Sequence, residues 1–96
     1  MAFGLVHRFP GGTKEQYEAA LAKVHPADGS LPEGQIHHFA GATDGGWIVI
    51  AVHNSRESWE RFRDQKLLPG LQELGDAGFA RPPQETTFEV YKAQQS

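Results

Sequence analysis

The sequence lacks several features that would point to common functional classes. It contains no cysteine, which excludes disulfides, thiolate metal ligands and a cysteine nucleophile. Basic residues number 9 against 12 acidic ones, and a net charge of −3 without a basic cluster argues against nucleic-acid binding. No apolar run approaches the roughly 20 residues of a membrane span, and Arg8 and Pro10 interrupt the run that a signal peptide would need. We therefore expect a cytoplasmic protein without nucleic-acid or membrane partners.

The chain is short, with 96 residues. This length predicts a single domain over residues 1–96 that has one modest core. A cofactor-binding domain beside a substrate domain would not fit, and we predict no cofactor.

The stretch from Gly45 to Leu74 is predicted to form the centre of the fold. Its segment Trp47–His53 (WIVIAVH) is an almost unbroken apolar run rich in β-branched residues, which is typical of a strand buried on both faces. A helix is expected to begin at the N-cap Asn54, because Glu57 follows three positions later. Pro69-Gly70 should break or kink this helix. A second short helical stripe then ends near Gly75 and consists of Leu67 or Leu68, Leu71 and Leu74.

Three more strands and one more helix are predicted around this centre. The helix opens with a Thr13-x-x-Gln16 capping box and carries an apolar stripe at helical spacing. His25 lies at its C-terminus, where a charged imidazole would suit the helix dipole. The apolar stripe of the helix consists of Tyr17, Ala20, Leu21 and Val24. The three strands are Ala2–Phe9, Gly34–Ala40 and Glu85–Lys92.

The element order is strand, helix, strand, strand, helix, strand. Right-handed crossovers then place the first and third strands in the middle of a four-stranded antiparallel sheet. This is an α+β, ferredoxin-like βαββαβ fold with both helices on one face. Because Trp47–His53 is apolar on both sides, the face without helices would be a large exposed apolar patch. We therefore predict a homodimer in which two sheets pack face to face.

The central stretch also resembles a known family. Ser55–Phe62 (SRESWERF), which follows an apolar strand and precedes Leu68-Pro69, is similar to the dimeric α+β barrel superfamily. Within it, the chain resembles the antibiotic-biosynthesis-monooxygenase-like (ABM-like) domains over nearly its whole length. The resemblance implies a dimeric α+β barrel with a ligand pocket between sheet and helices. The superfamily includes cofactor-independent monooxygenases, haem-degrading enzymes and isomerases, so the fold alone does not fix the function.

Histidines are the candidate chemical groups. His7, His37, His38 and His53 fall on predicted strands. His7 is the leading candidate for a base, since a neutral imidazole can take a proton from a phenol or enol. His37 and His53 are candidate assistants. The predicted substrate-binding side chains are Phe9, Trp47, Trp59 and Phe62.

Several alternatives remain for these side chains. Trp59 and Phe62 could simply be core, and each strand histidine could be held by a structural hydrogen bond. A metal site would need a third imidazole beside two strand neighbours, yet the sequence has neither H-x-H nor H-E-x-x-H. The haem-degrading branch has a histidine ligand on or near its second helix, and Ser55–Ala80 contains none.

Two functions follow from this sequence. The first is an enzyme, a cofactor-independent monooxygenase or an isomerase acting on a small aromatic or enolisable molecule. The second is a non-catalytic small-ligand-binding or structural homodimer.

Overall fold

A computed structural model describes residues 1–94, so the last two residues of the expected domain lie outside it. The sheet has four antiparallel strands in the order β2-β3-β1-β4. The expected ferredoxin-like architecture is confirmed, with the first and third strands in the middle. In chain order the elements are β1 (Phe3–Pro10), α1 (Lys14–Val24), β2 (Gln35–Thr43), β3 (Gly46–His53), α2 (Arg56–Phe62), a π turn (Arg63–Leu67), α3 (Leu68–Leu74), a 3₁₀ turn (Gly75–Ala77) and β4 (Gln84–Glu89).

The core lies between the sheet and the helices. Phe3, Leu5 and Ala51 supply the sheet side, and Trp59 and Phe62 supply the α2 side. Burial alternates along β1, where Phe3, Leu5 and Phe9 are buried while Arg8 is exposed. The face of β1 that carries Phe3, Leu5, His7 and Phe9 therefore points toward the helices.

The start of α2 differs from the prediction. Its N-cap is Ser55, whose side chain accepts a hydrogen bond from the backbone N–H of Ser58. Asn54 is one residue too early, because its backbone N–H still donates to the carbonyl of Gly34 at 2.8 Å.

The interruption expected at Pro69-Gly70 lies just before the proline and takes the form of a π turn, and α3 ends next to Gly75 as predicted. The helical path continues from α2 into α3 through the π turn, in which the N–H of Leu68 donates to the carbonyl of Arg63. Pro69 lies in the first turn of α3. A proline lacks the N–H and crowds the carbonyl four residues earlier, and a wider turn just before it relieves both problems.

The β2–β3 connection is shorter than the six residues, 41–46, that lie between the two predicted strands. Both strands continue up to a two-residue turn at Asp44-Gly45, where Gly45 has a φ of 80°. At the other end of the sheet, β4 stops at Glu89 rather than Lys92. The N–H of Val90 makes one more bond, to the carbonyl of Ala2, and β1 offers almost no chain beyond it.

A β-bulge interrupts the alternation of side chains along β2. The register passes from Gln35 opposite His53 to His37 opposite Val52, so Ile36 is the extra residue. Gln35 and His38 therefore share the helix-covered face, while His37 lies on the other. Simple alternation would have paired Gln35 with His37.

Candidate functional site

A cavity of about 340 Å³ lies between the sheet and the helices. Its walls are mainly apolar, which suits a small organic ligand. Leu5, Phe9, Val49 and Ala51 supply the sheet side. The predicted stripe of α1 covers the opposite side, with Tyr17, Ala20, Leu21 and Val24 all lining the cavity.

Close contact between α1 and α3 shapes one end of this cavity. A Cβ atom on Gly70 would lie 2.6 Å from Cγ1 of Val24, so only glycine allows this approach. Thr13 and Gln16 form the predicted capping box and define where α1 begins. Local sequence signals therefore position the helix that carries Tyr17.

His7 provides one polar group in the apolar wall. The residue is 7% exposed, and its Nε2 lies 2.8 Å from Oε2 of Glu85, the residue opposite it on β4. The rings of Phe9 and Trp59 flank the imidazole edge-to-face, at centroid distances of 6.2 and 5.7 Å. Phe79 stacks on Phe9 at 3.7 Å. The carboxylate holds the imidazole in a fixed orientation within an aromatic surround.

Tyr17 and His38 provide a second polar group. The Tyr17 hydroxyl lies 2.6 Å from Nε2 of His38, and both residues line the cavity. Nδ1 of His38 lies 2.9 Å from Oε1 of Gln35. The β2 bulge makes this last contact possible, because it turns Gln35 and His38 to the same face.

A buried hydrogen-bond chain continues behind His38. Nε2 of Gln35 lies 3.3 Å from Nε2 of His53, and Nδ1 of His53 lies 3.2 Å from Oγ of Ser58. Gln35, His53 and Ser58 are 7%, 0% and 6% exposed. Buried polar groups need such partners, and these side chains supply them for one another.

The imidazoles of His25, His38 and His53 are neutral near pH 7. Burial lowers the pKa of His53 to about 4. Burial, with smaller contributions from His38 and His53, lowers the pKa of His25 to about 4 as well. Burial also lowers the pKa of His38, and it raises that of Tyr17. The expected charged cap at His25 is therefore wrong, because this side chain turns into the cavity wall and packs on His38 at 4.7 Å.

The predicted site residues separate into three groups. His7, Phe9, Trp59 and Phe62 line the cavity. His53 and Trp47 lie on the same sheet face but outside the cavity lining; the Trp47 ring packs on Tyr17 at 5.4 Å. His37 lies on the opposite, open face and stacks on Phe39, so the structure does not bring it to His7.

Sequence reasoning did not place Tyr17, Gln35 or Glu85 at the cavity, and it named His38 only as one of the strand histidines. Tyr17 was assigned only to an apolar stripe, and the positions of Gln35 and His38 depend on a bulge that alternation does not reveal. Glu85 could have been found from the sheet topology, since β1 and β4 pair and the register places it opposite His7.

The described part of the chain has neither a metal-binding cluster nor a membrane-spanning helix. Within residues 1–94, no group of three His, Cys, Asp or Glu side chains could hold a metal ion. None of the helices described there is long and apolar enough to cross a membrane.

No protein-family model matches the chain, and no curated protein matches it. Solved structures do. Rv0793 from Mycobacterium tuberculosis superposes with a TM-score of 0.70 at 16% identity, covering 99% of this chain and 100% of that one. A variant of SnoaB, a cofactor-independent oxygenase from Streptomyces nogalater, gives 0.67 at 19% identity over 99% and 98% of the two chains.

A third structure, of a Chloroflexus aurantiacus protein assigned as an antibiotic biosynthesis monooxygenase, gives 0.66 at 16% identity over 99% and 98% of the chains. The chain has the ABM-like fold. This agrees with the expectation drawn from Ser55–Phe62. At these identities the likeness establishes the ABM-like fold, and the function must be argued from the side chains of the cavity.

Proposed function

We propose that this protein binds a small aromatic or enolisable molecule in the cavity and acts on it as a cofactor-independent monooxygenase. The observation that carries the proposal is the pair of His7 and Glu85, 2.8 Å apart, at the wall of an otherwise apolar cavity. The description of SnoaB as a cofactor-independent oxygenase supports it through the shared ABM-like fold.

His7 is the proposed base. Glu85 accepts the hydrogen of Nε2 and leaves Nδ1 to take a proton from a phenol or enol. The carboxylate also stabilises the imidazolium that results. The ligand anion is electron-rich and is the species that reacts with O₂. One oxygen atom becomes a carbonyl on a ring carbon, and the other leaves as water with the two hydrogens that the ligand loses. Phe9 and Trp59 beside the imidazole exclude water and provide aromatic surfaces for the ligand.

We also propose that the protein is a homodimer. On the open face, the central strand β3 presents Ile48, Ile50 and Val52, and Phe39 and Phe88 on the flanking strands are 62% and 43% exposed. An apolar area of this extent is unusual on a monomer. A second copy of the same sheet would cover it and leave both cavities on the outer, helix-covered sides.

Anthrone oxidation tests the catalytic proposal. Anthrone is an enolisable tricyclic aromatic, and its conversion to anthraquinone is followed by absorbance together with O₂ uptake. We expect purified protein to accelerate this reaction. His7→Gln should lower the rate at least about 100-fold, because general bases contribute at least that much. His37→Gln removes an imidazole from the open face and should keep the wild-type rate.

A non-catalytic ligand-binding dimer is the second candidate. It is favoured by the hydrogen bonds that already engage His7 and His53. Under this function His7→Ala changes neither ligand binding nor any turnover. Binding of anthrone without acceleration of its oxidation would favour this candidate over the first.

A further inference from the structure

Two of the polar groups that line the cavity lie on separate strands. His7 lies on β1 and His38 on β2, with Val49 and Ala51 of β3 between them. Strands lie about 4.8 Å apart and rise about 3.4 Å per residue, so the two Cα atoms are roughly 12 Å apart. The wall between the polar groups is apolar. A ligand that filled the cavity would meet an oxygen-binding group near each end.

The chain behind His38 fixes which atom faces Tyr17. With the Gln35 amide oxygen toward His38, Nδ1 of His38 donates to that oxygen, and Nε2 accepts from the Tyr17 hydroxyl. The amide N–H of Gln35 donates to Nε2 of His53, whose Nδ1 donates to Ser58. Every bond therefore runs in one direction, away from the cavity. The Tyr17 oxygen keeps a lone pair that can accept a ligand hydroxyl.

The same chain is also consistent when every donor is reversed. If the Gln35 amide turns over, Ser58 donates to His53, His53 to Gln35, and Gln35 to Nδ1 of His38. Nε2 of His38 then donates to Tyr17, and the Tyr17 hydroxyl hydrogen is available to a ligand carbonyl. The neutral state of both buried imidazoles permits either direction, because each has one donor and one acceptor nitrogen.

We propose that Tyr17 and His38 form a second recognition site in this cavity, which binds a hydroxyl or carbonyl oxygen of the ligand at the end remote from His7. Gln35, His53 and Ser58 are positioning residues that hold Nε2 of His38 toward Tyr17 in either direction of the chain. The inference rests on the proposed function in one respect, that aromatic ligands occupy the cavity. It adds a ligand class, fused aromatic molecules with oxygen functions at both ends.

Exposure distinguishes this site from a purely structural network. His53 and Ser58 lie outside the cavity lining and are less than one-tenth exposed. Gln35 lines the cavity but is only 7% exposed, whereas Tyr17 and His38 line it and are partly exposed. The chain thus ends on the side from which a ligand would approach. A network that served only the core would have no reason to present a hydroxyl there.

Two matched probes test the site, 2-naphthol and 2,6-dihydroxynaphthalene, with binding followed by their fluorescence. Wild-type protein should bind the dihydroxy probe about fivefold more tightly, since a second hydrogen bond contributes about 1 kcal/mol. Tyr17→Phe should reduce this preference to within about twofold while retaining affinity for 2-naphthol. Tyr91→Phe, which removes an equivalent hydroxyl from a side chain that is 98% exposed, should keep the wild-type preference.

Gln35→Leu tests the positioning role. It should lower the ratio of the two affinities without a matching loss of 2-naphthol binding, whereas general damage to the fold would weaken both probes alike. A preference that survives Tyr17→Phe, or equal binding of both probes by wild-type protein, would overturn the second site and leave the proposed function standing. If wild-type protein binds neither probe, the cavity is not an aromatic-binding site and the proposed function falls together with this inference.

Discussion

Acid should destabilise this protein through its buried imidazoles, and His53 offers the sharpest test. Its side chain is fully buried among Gln35, Ser58 and the aromatic rings of Trp59 and Phe62. Burial lowers its pKa from the ordinary 6.5 to about 4. The folded protein therefore stays unprotonated at His53 over a range in which the unfolded chain binds a proton.

The sign and size of the effect follow from linkage. Since the unfolded state binds more protons, the free energy of unfolding falls as the pH drops from 6.5 toward about 4. The contribution from His53 should be about 2 kcal/mol by about pH 5 and about 3 kcal/mol at its limit. His25, whose pKa is also lowered to about 4, acts in the same direction. A domain with a total stability of roughly 5–15 kcal/mol will show this loss clearly.

The free energy of unfolding is measured by urea titration, with circular dichroism as the signal, at about pH 7.5 and at about pH 5, where few carboxylates have titrated. The protein concentration must be held constant, because dimerisation adds to apparent stability. Between the two pH values, the free energy of unfolding of His53→Gln should fall by about 2 kcal/mol less than that of the wild-type protein. His37→Gln, the same change on the open face, should lose as much as wild-type. Equal losses in His53→Gln and wild-type protein would refute the claim that His53 is buried in neutral form.

Two further predictions concern packing and assembly. Gly34 and Gly29 both have a φ of 86°, but a Cβ on Gly34 would collide with Oγ of Ser58, whereas one on Gly29 meets nothing within 4 Å. Gly34→Ala should therefore lower the free energy of unfolding in urea by at least about 1 kcal/mol more than Gly29→Ala does. Equal losses in the two variants would contradict the close approach of Gly34 to Ser58. Ile50→Glu on the open face should give a monomer by size-exclusion chromatography with light scattering, while Leu31→Glu, at an exposed leucine off the sheet, should not; a wild-type monomer at low micromolar concentration would remove the basis for the dimer.

Much of the fold could be predicted from the sequence because the signals were local. The Thr13–Gln16 capping box and the stripe behind it specify α1, and the β-branched run Trp47–His53 specifies a central strand. Right-handed crossovers then leave few ways to arrange four strands and the helices around them. Alternation grouped Phe3, Leu5, His7 and Phe9 on one face of β1, and the resemblance to the ABM-like domains pointed to a pocket beside His7.

The candidate site was only partly predictable, because its key contacts join residues far apart in the chain. The bulge at Ile36 reversed the expected partners of Gln35, and strand pairing across the sheet brought Glu85 to His7. A bulge is a response to tertiary packing and leaves no periodic signal in the sequence.

The sequence by itself determined the succession of strands and helices, the strand order in the sheet and the apolar character of both sheet faces, since propensity, capping and periodicity act over a few residues. Only the tertiary structure decided that Tyr17 meets His38, that His37 lies on the open face, and that His25 and His53 are neutral. These outcomes depend on burial and on distances between elements, and a linear sequence does not contain either quantity until the chain has folded.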